Sequence, residues 1–232
     1  LITASALAPN CGYIKVLSAK KPKTEAQETS MSRGTLFHGH VERWVKEDRQ
    51  PAADDIEIQG WLDLMASEWW PTMGHTFTEL AWGLTIVGSY VEVVELEPHV
   101  YTVGPDELKR SPGATLLTAG RADLAWLDED HMLRVPDIKT GKWPVAPAAA
   151  NLQVNAAGLA LCQRFFARGY VPGVYYARDG AWDWGDPVEV GTPAWNIQMS
   201  AVMEAAKLPP EPRPGDWCGQ CWEKRACPMG PR

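Results

Sequence analysis

Two short stretches near the middle of the chain carry residue types that can do chemistry: Gly120-Arg121-Ala122-Asp123 and Asp137-Ile138-Lys139-Thr140-Gly141. Each lies at or in a run rich in Val, Leu or Trp, over 114–127 and 132–138, that reads as a strand. Asp128-Glu129-Asp130 between them reads as a turn. The resulting hairpin holds Asp123 on one arm and Asp137 on the other, so two carboxylates can converge on one point. Hard divalent cations such as Mg²⁺ take oxygen ligands and are commonly held by one or two carboxylates plus substrate phosphate. Lys139 follows Asp137 by two residues and projects from the same strand face. A cation there can orient a nucleophile or stabilise charge developing on a phosphate. Taken alone, the pattern is also that of a solvated cross-strand pair between Asp123 and Lys139.

A second group of chemical interest is Cys218-Gly219-Gln220-Cys221, followed after five residues by Cys227-Pro228. Three thiolates this close invite a soft metal. Cys11 is the candidate fourth ligand. Zinc in a Cys₄ site has compatible chemistry, as does a Cys₃His site with a distant histidine. The chain holds five cysteines, an odd number clustered toward the C-terminus. With no basic stretch before the apolar opening LITASALAP, no secretory signal is expected, and a disulfide framework is disfavoured. Cys162, beside Leu161 in an amphipathic stretch, reads as a small core residue.

The elements that must position these residues follow from periodicity. A short helix is expected over 5–16, then a basic polar loop. Leu36, Phe37, Val41, Trp44 and Val45 recur at helical spacing and predict a helix over 32–47. A second helix is expected over 56–70, ended by Pro71. Strands are predicted over 75–85, 90–103, 114–127, 132–138 and 171–177, and helices over 151–168 (stopped by Gly169) and 192–207. A Pro-rich linker over 209–214 delivers the cysteine cluster. This order predicts an α/β or α+β fold, a central mixed and largely antiparallel sheet flanked by helices.

Composition sets outer bounds. The 232 residues are 45% hydrophobic and 22% charged, a globular profile long enough for a single domain with its own core. No apolar run approaches the roughly 18–20 residues that span a bilayer. The net charge of −7 argues against sequence-independent coating of nucleic acid, though not against nucleic acid as a substrate. The heavy tryptophan load, twelve residues, is mostly explained by apolar filling.

The order of motifs carries more than any one of them. Gly34-Thr35-Leu36-Phe37-His38 on a helix precedes the hairpin, and Gln153 follows it at the start of another helix. G-T-x-x-H, G-x-x-D, D-x-K-T-G and then Q resembles the RecB-type branch of the PD-(D/E)xK nuclease superfamily. More narrowly it is similar to the iron–sulfur exonucleases of that branch, the CRISPR-associated RecB-like nucleases and the AddB-type nuclease domain. The resemblance implies a restriction-endonuclease-like core over 1–232, with about 51–73 as a helical insertion. It implies that His38, Asp123 and Asp137 bind the catalytic metal, with the Ile138 carbonyl as a further ligand, and that Lys139 assists the attacking water. Asp137 fills the (D/E) of (D/E)xK, Asp123 is the first acid, and the Pro136-Asp137 pair is a coincidence. His40 is the rival of His38. The family often has a tyrosine four residues after the glutamine, where this chain has Ala157, so Gln153 can equally be an ordinary helix-start residue.

The same resemblance implies a [4Fe–4S] cluster on Cys11, Cys218, Cys221 and Cys227 that joins 1–16 to 209–232, with zinc as the alternative. It implies Mg²⁺ or Mn²⁺ at the carboxylates. Imidazole suits transition metals, which makes Mn²⁺ at least the equal of Mg²⁺. The implied activity is exonucleolytic hydrolysis of single-stranded DNA ends in recombination, repair or CRISPR-adaptation-like processing. A helicase, an integrase or another recombination subunit are the implied partners, and the cytoplasm of a prokaryotic host the implied location. Lys15, Lys20, Lys21, Lys23, Arg33 and Arg43 form the most basic stretch and are candidates to line a strand path, and Trp143 is a candidate to stack a base. Glu79, Glu92, Glu95 and Glu97 are read as solvated strand residues. The rival classes are a non-catalytic iron–sulfur or zinc DNA-binding subunit and a redox protein; the second leaves the carboxylate hairpin unexplained.

Overall fold

The computed structural model describes residues 2–3, 25–68, 76–87, 90–95, 115–142, 145–207 and 227. The helix expected over 5–16, the Pro-rich linker, Lys15, Lys20, Lys21, Lys23, Glu97, Trp143, Cys11, Cys218 and Cys221 lie outside the described residues, as do the side chains of Glu92 and Glu95. In chain order the elements are β1 (Ile2–Thr3), α1 (Glu25–Glu47), α2 (Ile56–Glu68), β2 (Thr76–Val87), β3 (Tyr90–Glu95), β4 (Thr115–Leu127) and β5 (Met132–Lys139). There follow α3 (Leu152–Arg164), β6 (Gly169–Tyr176), β7 (Ala181–Trp184), β8 (Val188–Glu189) and α4 (Pro193–Lys207).

The sheet runs β3-β2-β4-β5-β6-β7, with β1 beside β4 and β8 beside β6. Along the main path its pairs are antiparallel except β5 with β6, which α3 joins as a crossover. Helices cover both faces, as expected. On one, α3 and α4 bury Leu159, Leu161, Trp195 and Val202 against Trp82, Leu133, Val135 and Tyr170. On the other, α1 and α2 bury Phe37, Val41, Trp44, Trp61 and Leu62 against Leu124, Trp126, Ile138 and Tyr175. Strand alternation in β5 explains this split, since Leu133 and Val135 face one layer and Ile138 the other.

Local chemistry fixes the ends that matter for the site. Asp55 caps α2, its Oδ1 accepting from the amides of Glu57 and Ile58 at 2.9 and 3.3 Å. Asn151 caps α3 by accepting from Gln153 and Val154. Asp128 closes the β4–β5 turn by accepting from the amides of Asp130 and Met132, and its other oxygen meets Arg134 at 2.9 Å. The helix expected to run to 168 ends at Arg164 instead, with Phe165 as its cap. Gly169 is not its stop: it opens β6, where a Cβ would come within 2.5 Å of the Val188 carbonyl. Strand β7, not anticipated, stacks Trp182 on Trp184 at 5.1 Å.

The start of α3 is pinned from inside. Fully buried Asn155 donates to the carbonyls of Ala148, Ala149 and Asn151 and accepts from the Tyr170 hydroxyl at 2.8 Å. Asn155→Ala strands that hydroxyl and is expected to lower unfolding free energy by about 1–3 kcal/mol. Adding Tyr170→Phe removes the stranded group and should cost little more, a coupling that urea denaturation of the four proteins measures.

Candidate active site

The site forms where β4 and β5 separate. They pair at Leu127–Leu133 and Trp126–Arg134, and no further register pair follows. Continuing that register by three residues sets Asp123 opposite Asp137. On the other side of β4, Thr78 pairs with Leu124 and Leu80 with Ala122, which sets Glu79 opposite Asp123. Three acids therefore lie in a row across β2, β4 and β5. The parting frees the Ile138 amide, and Asp123 Oδ2 accepts from it at 2.7 Å. It also lets helices on opposite faces reach one point: α1 supplies His38 and α3 supplies Gln153.

On the α1 side, His38 Nδ1 lies 3.4 Å from Asp123 Oδ1 and 3.9 Å from Glu79 Oε1. Glu79 Oε2 pairs with Arg121 at 2.9 Å. Glu79 has φ 53°, a left-handed conformation that costs a non-glycine residue on the order of 1 kcal/mol or more. On the α3 side, Asp137 is only 6% exposed. Its Oδ2 meets the Lys139 ammonium at 2.5 Å and its Oδ1 accepts from Gln153 Nε2 at 2.7 Å. A small cleft on the α3 side, between that helix and strands β4 and β5, is lined by Arg121, Asp123, Pro136, Asp137, Gln153 and Ala157.

Crowded acids and buried bases set each other's charge. Burial works against a charged His38, but Asp123 and then Glu79 outweigh it and raise the imidazole pKa to about 10. Burial likewise opposes ionisation of Asp123, yet the His38 charge, Lys139 and the Ile138 amide hold its pKa below the ordinary value. For Asp137, burial and the neighbouring Asp123 charge prevail over Lys139, and its pKa rises to about 6. Lys139 is raised: burial disfavours its charge, but Asp137 more than compensates. It is an ammonium at neutral pH, fit to stabilise negative charge rather than to accept a proton.

Of the expected residues, His38 gathers at Asp123, while Lys139 and Gln153 gather at Asp137 on the neighbouring strand. Among the described residues, the group whose ligand atoms lie close enough to share an ion is His38, Glu79 and Asp123, not the expected set with Asp137. The backbone contact seen at Ile138 is made by its amide. His40 is a neighbour of Arg43 at 2.9 Å and its pKa is lowered by burial and that charge, consistent with His38 as the member of the group. Glu79, read as an ordinary strand glutamate, belongs to the site. Its only sequence signal was a place on the strand before the hairpin. Arg33, expected on a DNA path, is instead engaged by Asp55 at 3.0 Å and Glu57 at 2.5 Å. Cys162 is buried among core residues as expected, and Cys227 is a half-buried free thiol.

The donor set fits a divalent ion. A ring nitrogen of His38 and one oxygen each of Glu79 and Asp123 lie within 4.8 Å of one another. Carboxylates suit Mg²⁺, and the imidazole adds affinity for Mn²⁺. Such a group, next to a buried Asp-x-Lys pair on a mixed sheet, could hold a divalent ion beside a fixed ammonium. The chain belongs to the PD-(D/E)XK nuclease superfamily, whose family model matches residues 12–228. Members of that superfamily are generally phosphodiester hydrolases that use Mg²⁺ or Mn²⁺. No curated protein matches the chain. A solved structure described as that of SSO0001 is similar at 14% identity and a TM-score of 0.44, covering 100% of this chain and 87% of that one. Among the described residues, no helix is long and apolar enough to cross a membrane.

The raised pKa values have a pH signature. His38, ordinarily near 6.5, contributes stability that is complete below that value and is lost as pH rises through about 10. Asp137 also favours the proton in the folded chain, so its contribution is whole below 3.8 and lost as pH rises through about 6. A metal ligand must be neutral imidazole, so Mn²⁺ binding at pH 8 is expected to release about one proton per chain. Calorimetry in two buffers of different ionisation enthalpy measures that number, and His38→Gln should abolish the release.

Proposed function

We propose that the chain is a metal-dependent deoxyribonuclease, an exonuclease acting on single-stranded DNA ends. The observation that carries the reading is the convergence of His38, Glu79, Asp123, Asp137, Lys139 and Gln153 at one strand parting. The exonucleolytic and single-strand assignments rest on the sequence resemblance, as do roles in recombination, repair or CRISPR-adaptation-like processing, the helicase or integrase partners and a cytoplasmic location.

In this reading His38, Asp123 and Glu79 would hold Mg²⁺ or Mn²⁺, with Asp137 and the Ile138 carbonyl as the further ligands that the sequence resemblance implies. Bound there, the ion lowers the pKa of a water and polarises a phosphoryl oxygen. Lys139 offers positive charge to the nucleophile and to the phosphate. Paired with Asp137, it is held as an ammonium and would orient the nucleophile. Gln153 fixes the rotamer of Asp137 through Oδ1, leaving the carboxylate little freedom to swing away. Pro136 and Ala157 wall the cleft with apolar surface, which strengthens these charges by limiting water.

Cys11, Cys218, Cys221 and Cys227 are proposed to hold a [4Fe–4S] cluster, with zinc as the alternative. The cluster ties the chain ends together in this reading and takes no part in hydrolysis.

Labelled single-stranded DNA incubated with purified protein and Mn²⁺ should be shortened from its ends. Asp123→Ala is expected to abolish that activity. Lys139→Ala should lower kcat by about 10²- to 10³-fold while Mn²⁺ still binds. Equal inertness of wild type and Asp123→Ala on single- and double-stranded DNA, with either metal, would end the nuclease reading. For the cluster, protein purified without air should be brown, with a visible absorption band that Cys227→Ser weakens. A colourless preparation carrying one zinc per chain overturns iron.

A further inference from the structure

Beside its core packing, helix α1 closely approaches the residue that follows β5. Gly34 is buried on α1, one helical turn before His38. A Cβ added there would lie 2.7 Å from Thr140 Oγ1, closer than unstrained atoms approach. Thr140 follows Lys139 directly. Its carbonyl accepts from Arg178 Nε at 2.7 Å, and Arg178 lies in the turn after β6. The same guanidinium donates to Glu57 Oε1 at 2.6 Å and lies 4.9 Å over the ring of Trp61, both residues of α2. The other oxygen of Glu57 takes Arg33, the residue before Gly34, at 2.5 Å. A closed circuit therefore runs from α1 through α2 and the β6–β7 turn to the end of β5, and back to α1 through the Gly34–Thr140 contact.

We propose that Gly34, Thr140, Arg178 and Glu57 are positioning residues: together they set the distance between α1 and the D-x-K strand, and so between His38 and the Asp123 carboxylate. Exposed ion pairs alone contribute little. This circuit differs in that its groups are shared. Glu57 serves two arginines on different elements, and Arg178 binds backbone, carboxylate and aromatic ring at once. A fixed guanidinium fork of this kind is not replaced by lysine. The sequence elements G-T-x-x-H and D-x-K-T-G thus have a physical reason to occur together. Their glycine and threonine are the contact that brings the histidine of one to the acids of the other. The proposal rests on the metal-dependent nuclease reading for its consequence in catalysis, but not for its geometry.

The test uses four proteins: wild type, Gly34→Ala, Thr140→Ala and Gly34→Ala/Thr140→Ala. Alanine is a better helix former than glycine, so a loss in Gly34→Ala cannot come from a weakened helix. Amide exchange at Ile138 reads the site without metal or DNA, because that N–H is donated to Asp123. Gly34→Ala should speed that exchange by about tenfold, weaken Mn²⁺ binding measured by paramagnetic resonance by about tenfold, and lower kcat with little change in KM for DNA. Thr140→Ala in the same chain removes the obstructing hydroxyl and should restore all three to within about threefold of wild type. Arg178→Lys, which leaves the contact itself unaltered, should reproduce the Gly34→Ala pattern more weakly. Unchanged Ile138 exchange in Gly34→Ala, or a double variant as impaired as Gly34→Ala, overturns the proposal. Should wild type neither bind Mn²⁺ nor cleave DNA, the nuclease reading fails, and the exchange rates at Ile138 still decide the positioning role.

Discussion

The site depends on a single unmade strand pairing. Had β4 and β5 stayed zipped beyond Trp126 and Arg134, the Ile138 amide would have found a backbone partner and both sheet faces would have closed. Instead the strands part, and an unpaired amide there would cost on the order of 1–3 kcal/mol. Asp123 takes that amide with its own carboxylate at 2.7 Å. One hydrogen bond thereby does two things: it satisfies the freed backbone and it fixes the carboxylate between the two helical layers. His38 reaches it from one layer, and Gln153 reaches its opposite number, Asp137, from the other.

The parting also concentrates charge. Glu79, Asp123 and Asp137 stand in a row on three strands, and without an added cation the chain balances them with His38, Arg121 and Lys139. That balance is uneven. Burial and the Asp123 charge raise the Asp137 pKa to about 6, and Asp123 and Glu79 raise that of His38 to about 10, so an ion bound there would displace the His38 proton. The left-handed backbone at Glu79 is a second local cost carried at the same place. Sites where propensity and charge both lose are where function overrides folding. The chain's net charge of −7 is thus no guide to the local field, since the acids that contribute to it include those that would bind metal.

Much of this was legible from residue spacing. The two-residue step from Asp137 to Lys139 placed both on one strand face, and the apolar repeat of Phe37, Val41 and Trp44 placed α1. Leu36, counted with that repeat, faces outward and is 54% exposed. What stayed hidden was non-local. Glu79 belongs to the site only through the β2–β4 register, which pairs residues more than forty positions apart. Arg33 was read from its neighbours as part of a basic path, but acids over twenty residues away capture it. Strand β7 did carry a signal, the alternation Trp182-Asp183-Trp184, too short to stand out. Gly169 looked like a helix stop because glycine commonly is one, whereas close packing of β8 against β6 is what requires it.

The proposed catalysis requires a divalent metal at Asp123, between the parted strands. Anomalous diffraction from crystals grown with Mn²⁺ tests it most directly. One strong peak is expected within reach of His38, Glu79 and Asp123, and it should be absent from Asp123→Ala crystals. An empty map there at saturating Mn²⁺, with the Lys139–Asp137 pair intact, would contradict it.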